Sequence, residues 1–168
     1  MTPKNLEALW YFAYGSNMQR VTFVERRGMR PQRSLAGRLH GHRLTFDLPV
    51  GPGERGVANL AADDACVTHG VLHLISFDEF SRLDQSEGVH VGYYARAAIT
   101  VIDRDERPVE AWTYVSPHGV DGRKPSQRYL NLLLEGAREH ELPADYIRRL
   151  EELELAVDER LKTPAELA

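Results

Sequence analysis

Two short stretches of this chain hold residue types that could do chemistry together. The first is Tyr11-Phe12-Ala13-Tyr14-Gly15-Ser16-Asn17. It begins as an aromatic-rich run suited to a half-buried strand and stops on the residue types that make tight turns and helix caps. A strand breaking into such a turn leaves backbone N–H groups unpaired, and these suit a carboxylate or a developing oxyanion. Taken alone, the same pattern describes an ordinary strand-turn corner. The second stretch is Leu83-Asp84-Gln85-Ser86-Glu87-Gly88-Val89, followed by Gly92-Tyr93-Tyr94. It places a carboxylate beside glycine at the end of a capped helix, where Glu87 would project into any cavity a sheet encloses. Burial there would raise its pKa toward the range useful for proton transfer. Taken alone, the segment is better read as a solvated helix-end glutamate.

Other constellations carry less. Residues 51–56 fit G-x-G-x-x-G in form, but a dinucleotide loop must open a helix. Here Pro52 and Gly53 oppose one, and Val57-Ala58-Asn59-Leu60 reads as a strand. His40 and His42, with His69 and His73, could ligate zinc only if the two pairs met, and no carboxylate or thiolate spacing supports them. No metal site is expected. There is no G-x-S-x-G elbow, and Cys66, the single cysteine, rules out an internal disulfide and reads as a small buried hydrophobe.

These candidates need elements to hold them. A length of 168 residues, 42% hydrophobic and 27% charged, suits one globular domain across residues 1–168. The net charge of −4, with both signs mixed along the chain, gives no phosphate-tracking face, so no nucleic-acid partner is expected. No apolar run approaches the roughly 18 residues of a membrane span, and the opening residues lack a signal-peptide core. A cytoplasmic protein with no membrane partner is the expectation.

Along the chain, a first strand is predicted near residues 10–14, then a short helix over 17–27 ended by Gly28. A strand with one wet face follows over 35–48, where Gly37 and Gly41 suggest a bulge or bend that curls a sheet toward a barrel. A Pro/Gly-rich loop covers 49–56, and short strands are predicted near 57–61 and 67–76. Ser76 and Glu79 form a capping box for a helix reaching about Asp84. Strands near 94–102 and 109–115 flank a charged turn. Ser126 caps a helix carrying Leu130, Leu133, Leu134 and Ala137 on one face, and Pro143 starts another with Ile147, Leu150 and Leu153. The core ends near residue 156, before a polar tail over 157–168. Strands first and helices last argue an α+β fold, a small mixed β-barrel surrounded by helices.

Taken together, the segments resemble the γ-glutamylcyclotransferase family. The family's YFAYGSN signature stands at residues 11–17. Its LD-x-x-EGV-x-x-G-x-Y pattern stands as Leu83-Asp84, Glu87-Gly88-Val89, Gly92 and Tyr94. Its PS-x-x-Y followed by GA-x-E-x-x-LP-x-x-Y stands as Pro125-Ser126, Tyr129, Gly136-Ala137, Glu139, Leu142-Pro143 and Tyr146. The resemblance covers about residues 10–152.

It implies a small β-barrel with outer helices and an intramolecular reaction that needs no cofactor. The free α-amine of a γ-glutamyl group attacks its own γ-carbonyl, releasing 5-oxoproline and the attached amine. It makes a small-molecule γ-glutamyl compound the substrate, Glu87 the general base, and Tyr11, Phe12, Ala13, Tyr14, Gly15 and Ser16 the substrate-binding stretch. Tyr129 matches a substrate-contacting tyrosine that would donate to the substrate carboxylate, and Tyr94 would line the pocket and bond Glu87. The chain departs from the pattern at Met18, where leucine is usual, and at Gln127-Arg128, where the family commonly has Pro-Gln. Residues 54–60 match loosely. These departures bear on the released amine more than on the reaction. Two rivals remain: a specialised cyclotransferase that deprotects a γ-glutamylated biosynthetic intermediate, and a non-catalytic small-molecule-binding module of the same fold, against which the presence of Glu87 counts. Oligomeric state is open, with a homodimer one arrangement to test.

Overall fold

In the computed structural model, which describes residues 7–157, five strands close into a barrel in the order β1-β3-β2-β4-β5. They are β1 (Ala8–Ala13), β2 (Arg33–Pro49), β3 (Gly56–Ser76), β4 (Ala95–Asp103) and β5 (Pro108–Val115). Neighbours pair antiparallel except β1 and β5, which close the barrel in parallel with Tyr11 opposite Trp112. Three helices pack outside: α1 (Phe77–Ser86), α2 (Gln127–Glu139) and α3 (Ala144–Glu151). The expected α+β barrel is what the chain adopts. The polar tail falls almost wholly on residues outside the described ones.

The bend devices act as their residue types suggest. The register of β2 on β3 breaks between His40 and His42, where Gly41 takes φ 79°, a left-handed conformation glycine adopts without strain. Gly37 lets β4 approach, since a Cβ there would sit 2.5 Å from Val101 Cγ1. The two short strands expected over 57–61 and 67–76 are one long strand. The gap between them is real as a local excursion: His40 faces Val67 but His42 faces Ala62, so residues 63–66 have no counterparts on β2.

The helix expected over 17–27 is not an α-helix. Ser16–Met18 form a single 3₁₀ turn, and Val21–Arg26 follow as a wider turn in which the Arg27 N–H reaches back five residues to Thr22 O. The segment is held by its surroundings instead of by helical propensity. Phe23 is fully buried and stacks on His73 with ring centres 4.1 Å apart. Glu139 of α2 accepts from the Arg20 N–H at 3.0 Å.

Helix α1 is capped as expected, with Glu79 N–H donating to Ser76 Oγ and Ser76 N–H to Glu79 Oε1, both at 3.1 Å. Ser126 Oγ caps α2 by accepting from Tyr129 N–H at 3.1 Å, so the helix entrance is intact with Gln127-Arg128 in its first turn. Leu130, Leu133, Leu134 and Ala137 are buried as their helical spacing requires.

Candidate active site

Strand β1 runs straight into the turn that carries Tyr14, Gly15, Ser16 and Asn17. The turn is fixed from three sides. His73 on β3 is buried, and its Nε2 lies 3.0 Å from Asn17 O while its Nδ1 lies 2.8 Å from Ser34 Oγ. A carbonyl oxygen can only accept, so Nε2 carries the proton and Nδ1 accepts from the serine hydroxyl. Burial holds this imidazole far below its ordinary pKa, at about 3, so it stays neutral in this role. From outside, α2 presses on the turn at Gly136, where a Cβ would meet the backbone of Met18 and Gln19 at 2.7 Å. From the barrel rim, Ala58 lies against Gly15, where a Cβ would be 3.1 Å from Ala58 Cβ.

Glu87 reaches the same place from the other side. It terminates α1, and Gly88 at φ 68° reverses the chain immediately after it. Glycine is required there twice over, because a Cβ would also stand 2.9 Å from Tyr93 Cβ. Helix α1 is seated by the buried Phe80 and Leu83 and by Asp84, which accepts from Tyr114 Oη at 2.7 Å and from Arg96 Nε at 2.9 Å. Both residues of the Leu83-Asp84 pair are thus the supports of the glutamate three residues on.

The carboxylate and the turn meet at Asn17. Its buried amide donates to Glu87 Oε1 at 3.1 Å and to Tyr11 Oη at 3.0 Å, while Oδ1 has no protein partner. Arg27 Nη2 stands 3.9 Å from Glu87 Oε1. Burial raises the Glu87 pKa above the ordinary carboxylate value, against the opposing charge of Arg27 and the Asn17 hydrogen bond. The raising effect prevails, as proton transfer near neutral pH requires.

Tyrosines form the remaining wall. Tyr129 Oη accepts from Ala58 N–H at 3.0 Å and also faces the Ser16 N–H and hydroxyl, and burial pushes its pKa up to about 12. With donors already pointing at its oxygen, the Tyr129 proton is available to an acceptor in the cavity. Tyr94 Oη donates to Ala58 O at 2.7 Å. It therefore lines the cavity as expected but does not bond Glu87: the Ala58 carbonyl takes its only proton. The enclosed space is about 290 Å³ and also takes in Val57, Ser86 and Tyr93.

Of the expected site residues, Tyr11, Tyr14, Gly15, Ser16, Tyr94, Tyr129 and Glu87 all line this cavity. Phe12 and Ala13 do not. The strand's alternation turns Phe12 away from Tyr11, and Phe12 is fully buried against Gly70 while Ala13 lies in the core. Sequence reasoning missed Arg27 and Tyr114, which come from a turn and a strand that no motif marks. It read Asn17 as a turn former, although its position beside Ser16 was signal enough to ask what its amide reaches. Among the described residues, no three His, Cys, Asp or Glu side chains gather as a metal site, and His73 is engaged with Ser34 and Asn17.

Known proteins resemble this chain in sequence and in fold. Residues 68–150 match the AIG2-like family. The chain is 36% identical over 146 residues to the γ-glutamyl cyclotransferase gliK of Claviceps purpurea, an alignment covering 80% of this chain and 65% of that one. It is 30% identical over 170 residues to the γ-glutamyl cyclotransferase aclK of Aspergillus oryzae, covering 88% and 62%. It thus spans a little less than two thirds of each of these relatives. A solved γ-glutamyl cyclotransferase structure superimposes with a TM-score of 0.76 at 22% identity, covering 96% of this chain and 100% of that one, which establishes the shared fold. The chain is thus similar in sequence to γ-glutamyl cyclotransferases over most of its length and shares their fold.

Proposed function

We propose that this protein cyclises a γ-glutamyl amide to 5-oxoproline and releases the attached amine. The observation that carries the reading is a buried glutamate of raised pKa in one cavity with an anion-compatible turn and neutral tyrosines. Cyclisation makes a specific demand on a site. The attacking nitrogen begins as an ammonium with three protons and ends as a lactam nitrogen with one. The departing nitrogen begins as an amide with one and leaves as an ammonium with three. Two protons cross from one nitrogen to the other and none is consumed. A single carboxyl that accepts from one side and returns to the other meets that need.

Glu87 has this role. Its carboxylate takes a proton from the α-ammonium, the freed amine adds to the γ-carbon, and negative charge develops on the carbonyl oxygen. The protonated carboxyl then delivers to the leaving nitrogen as the old C–N bond breaks, and a second pass of the same carboxyl carries the remaining extra proton from the ring nitrogen to the departing amine. Backbone N–H groups around Gly15 and Ser16, with the Tyr129 hydroxyl, are suited to hold the α-carboxylate or the oxyanion. Holding the glutamyl chain folded so that amine meets carbonyl contributes much of the acceleration. In this reading the protein works in the cytoplasm on a small molecule.

The test is direct. Incubation with a panel of γ-glutamyl amino acids and peptides should release 5-oxoproline, and Glu87→Gln should abolish release while substrate still binds. Undiminished 5-oxoproline formation by Glu87→Gln would refute the mechanism.

A further inference from the structure

A second cavity adjoins the first. It measures about 370 Å³ and shares Val57 and Tyr129 with the cavity that holds Glu87. Its remaining lining is apolar at Val50 and Leu132 and cationic at Arg55 and Arg128. Among the described residues, neither guanidinium has a carboxylate within ion-pair distance, and the buried Arg55 Nε has no hydrogen-bond partner. The nearby acids are engaged elsewhere: Glu54 accepts from Val157 N–H and Glu154 pairs with Lys124. Arg128 also stands in the first turn of α2, where the helix already presents positive charge and no acidic residue offsets it. Two unpaired cations and an orphaned buried donor around an apolar-walled space make a site for an anion at the end of an apolar stem.

Resting on the cyclisation reading, we infer that this cavity is the leaving-group subsite, and that the released amine is a short peptide or peptide-like conjugate. Its free carboxylate faces Arg55 and Arg128. The placement sets the class. The α-carboxylate of a single amino acid hangs one carbon from the scissile nitrogen and stays in the Glu87 cavity. An anion beyond the Tyr129 ring belongs to the next residue along or to a more distant substituent. Val50, Val57 and Leu132 line the way for an apolar residue between.

The experiment compares kcat/KM for 5-oxoproline release from γ-glutamyl-leucyl-glycine, its C-terminal carboxamide and γ-glutamyl-leucine, using wild type, R55Q and R128Q. In wild type the free peptide acid should exceed its carboxamide by roughly ten- to a hundred-fold, the scale of a charge-assisted hydrogen bond. Each variant should erase most of that preference through KM while leaving turnover of γ-glutamyl-leucine within about twofold, a readout that misfolding would not give. Equal rates for acid and carboxamide, or an acid preference untouched by both variants, would overturn the subsite while leaving cyclisation standing. Absence of 5-oxoproline from every substrate would overturn the cyclisation reading and this inference together.

Discussion

At the scale of single residues, the site turns on how the charge of Glu87 is balanced. Burial destabilises the carboxylate, and Arg27 at 3.9 Å and Asn17 at 3.1 Å partly restore it. A base must be ionised in the free enzyme, so kcat/KM should fall with acidification through the Glu87 pKa. The acid limb should lie above the ordinary carboxylate range. Removing Arg27's charge removes a contribution that lowers that pKa. Arg27→Gln should therefore move the acid limb to higher pH with less effect on the plateau, and a pH–rate profile of each protein checks this. A limb that stays in place would show that Arg27 is screened from Glu87 and serves only in packing. Glu87 itself is legible in the sequence because a capping box, a helix length and a glycine fix where it must stand. Arg27 is not, because its partner lies sixty residues away and the wide turn that delivers it has no sequence period.

At the scale of elements, the Asn17 turn is held by a strand histidine that has to remain neutral. His73 sits at about 3 in the folded protein against an ordinary value near 6.5, so the unfolded chain binds the extra proton between those limits. Stability must then rise with pH across that window and be lost as pH falls below about 6.5. The loss attributable to His73 between pH 7.5 and pH 5 should be about 2 kcal/mol. Urea denaturation at the two pH values measures the difference, and His73→Gln should shrink it by about that amount whatever the variant's stability at neutral pH. His140 and His69, both also depressed by burial, add losses of the same sign, while the raised pKa of Glu87 acts in the opposite direction. An unaltered pH dependence in His73→Gln would mean that the ring can protonate in place. In the sequence His73 reads as one of two histidines on a strand face, weighed as a metal ligand and set aside for want of supporting spacing. Only the pairing of β2 with β3, which brings Ser34 opposite it, together with the turn after β1, which brings Asn17 O within 3.0 Å, shows both its nitrogens to be engaged.

At the scale of the molecule, three segments that lie far apart in the chain converge on one wall, and Gly136 is where the outer layer is allowed to close. The fold class was legible because glycine bends, strand alternation and helix caps are local signals. The convergence was not, because barrel closure sets β1 beside β5 and sends α2 back over the Asn17 turn. Once the fold is known, the stretch from Pro125 to Tyr146 becomes readable as the support of Tyr11–Asn17: Gly136 admits the turn, Glu139 accepts from the Arg20 N–H, and Tyr129 faces Ser16. This gives Gly136→Ala two opposed effects. Alanine is the better helix former by about 1 kcal/mol. Its Cβ, however, would lie 2.7 Å from the backbone of Met18 and Gln19, a contact that main-chain atoms cannot relieve by a rotamer change. Overpacking of this kind costs about 1–3 kcal/mol, so the net effect should be destabilising by up to about 2 kcal/mol. Because α2 carries Tyr129, the same displacement should lower kcat/KM for every substrate alike, unlike the selective losses expected of the arginine variants. Thermal or urea unfolding beside 5-oxoproline assays separates the outcomes. A stabilised Gly136→Ala with full activity would show that α2 can slide along the barrel without carrying the site with it, and the close contact would then be incidental to catalysis.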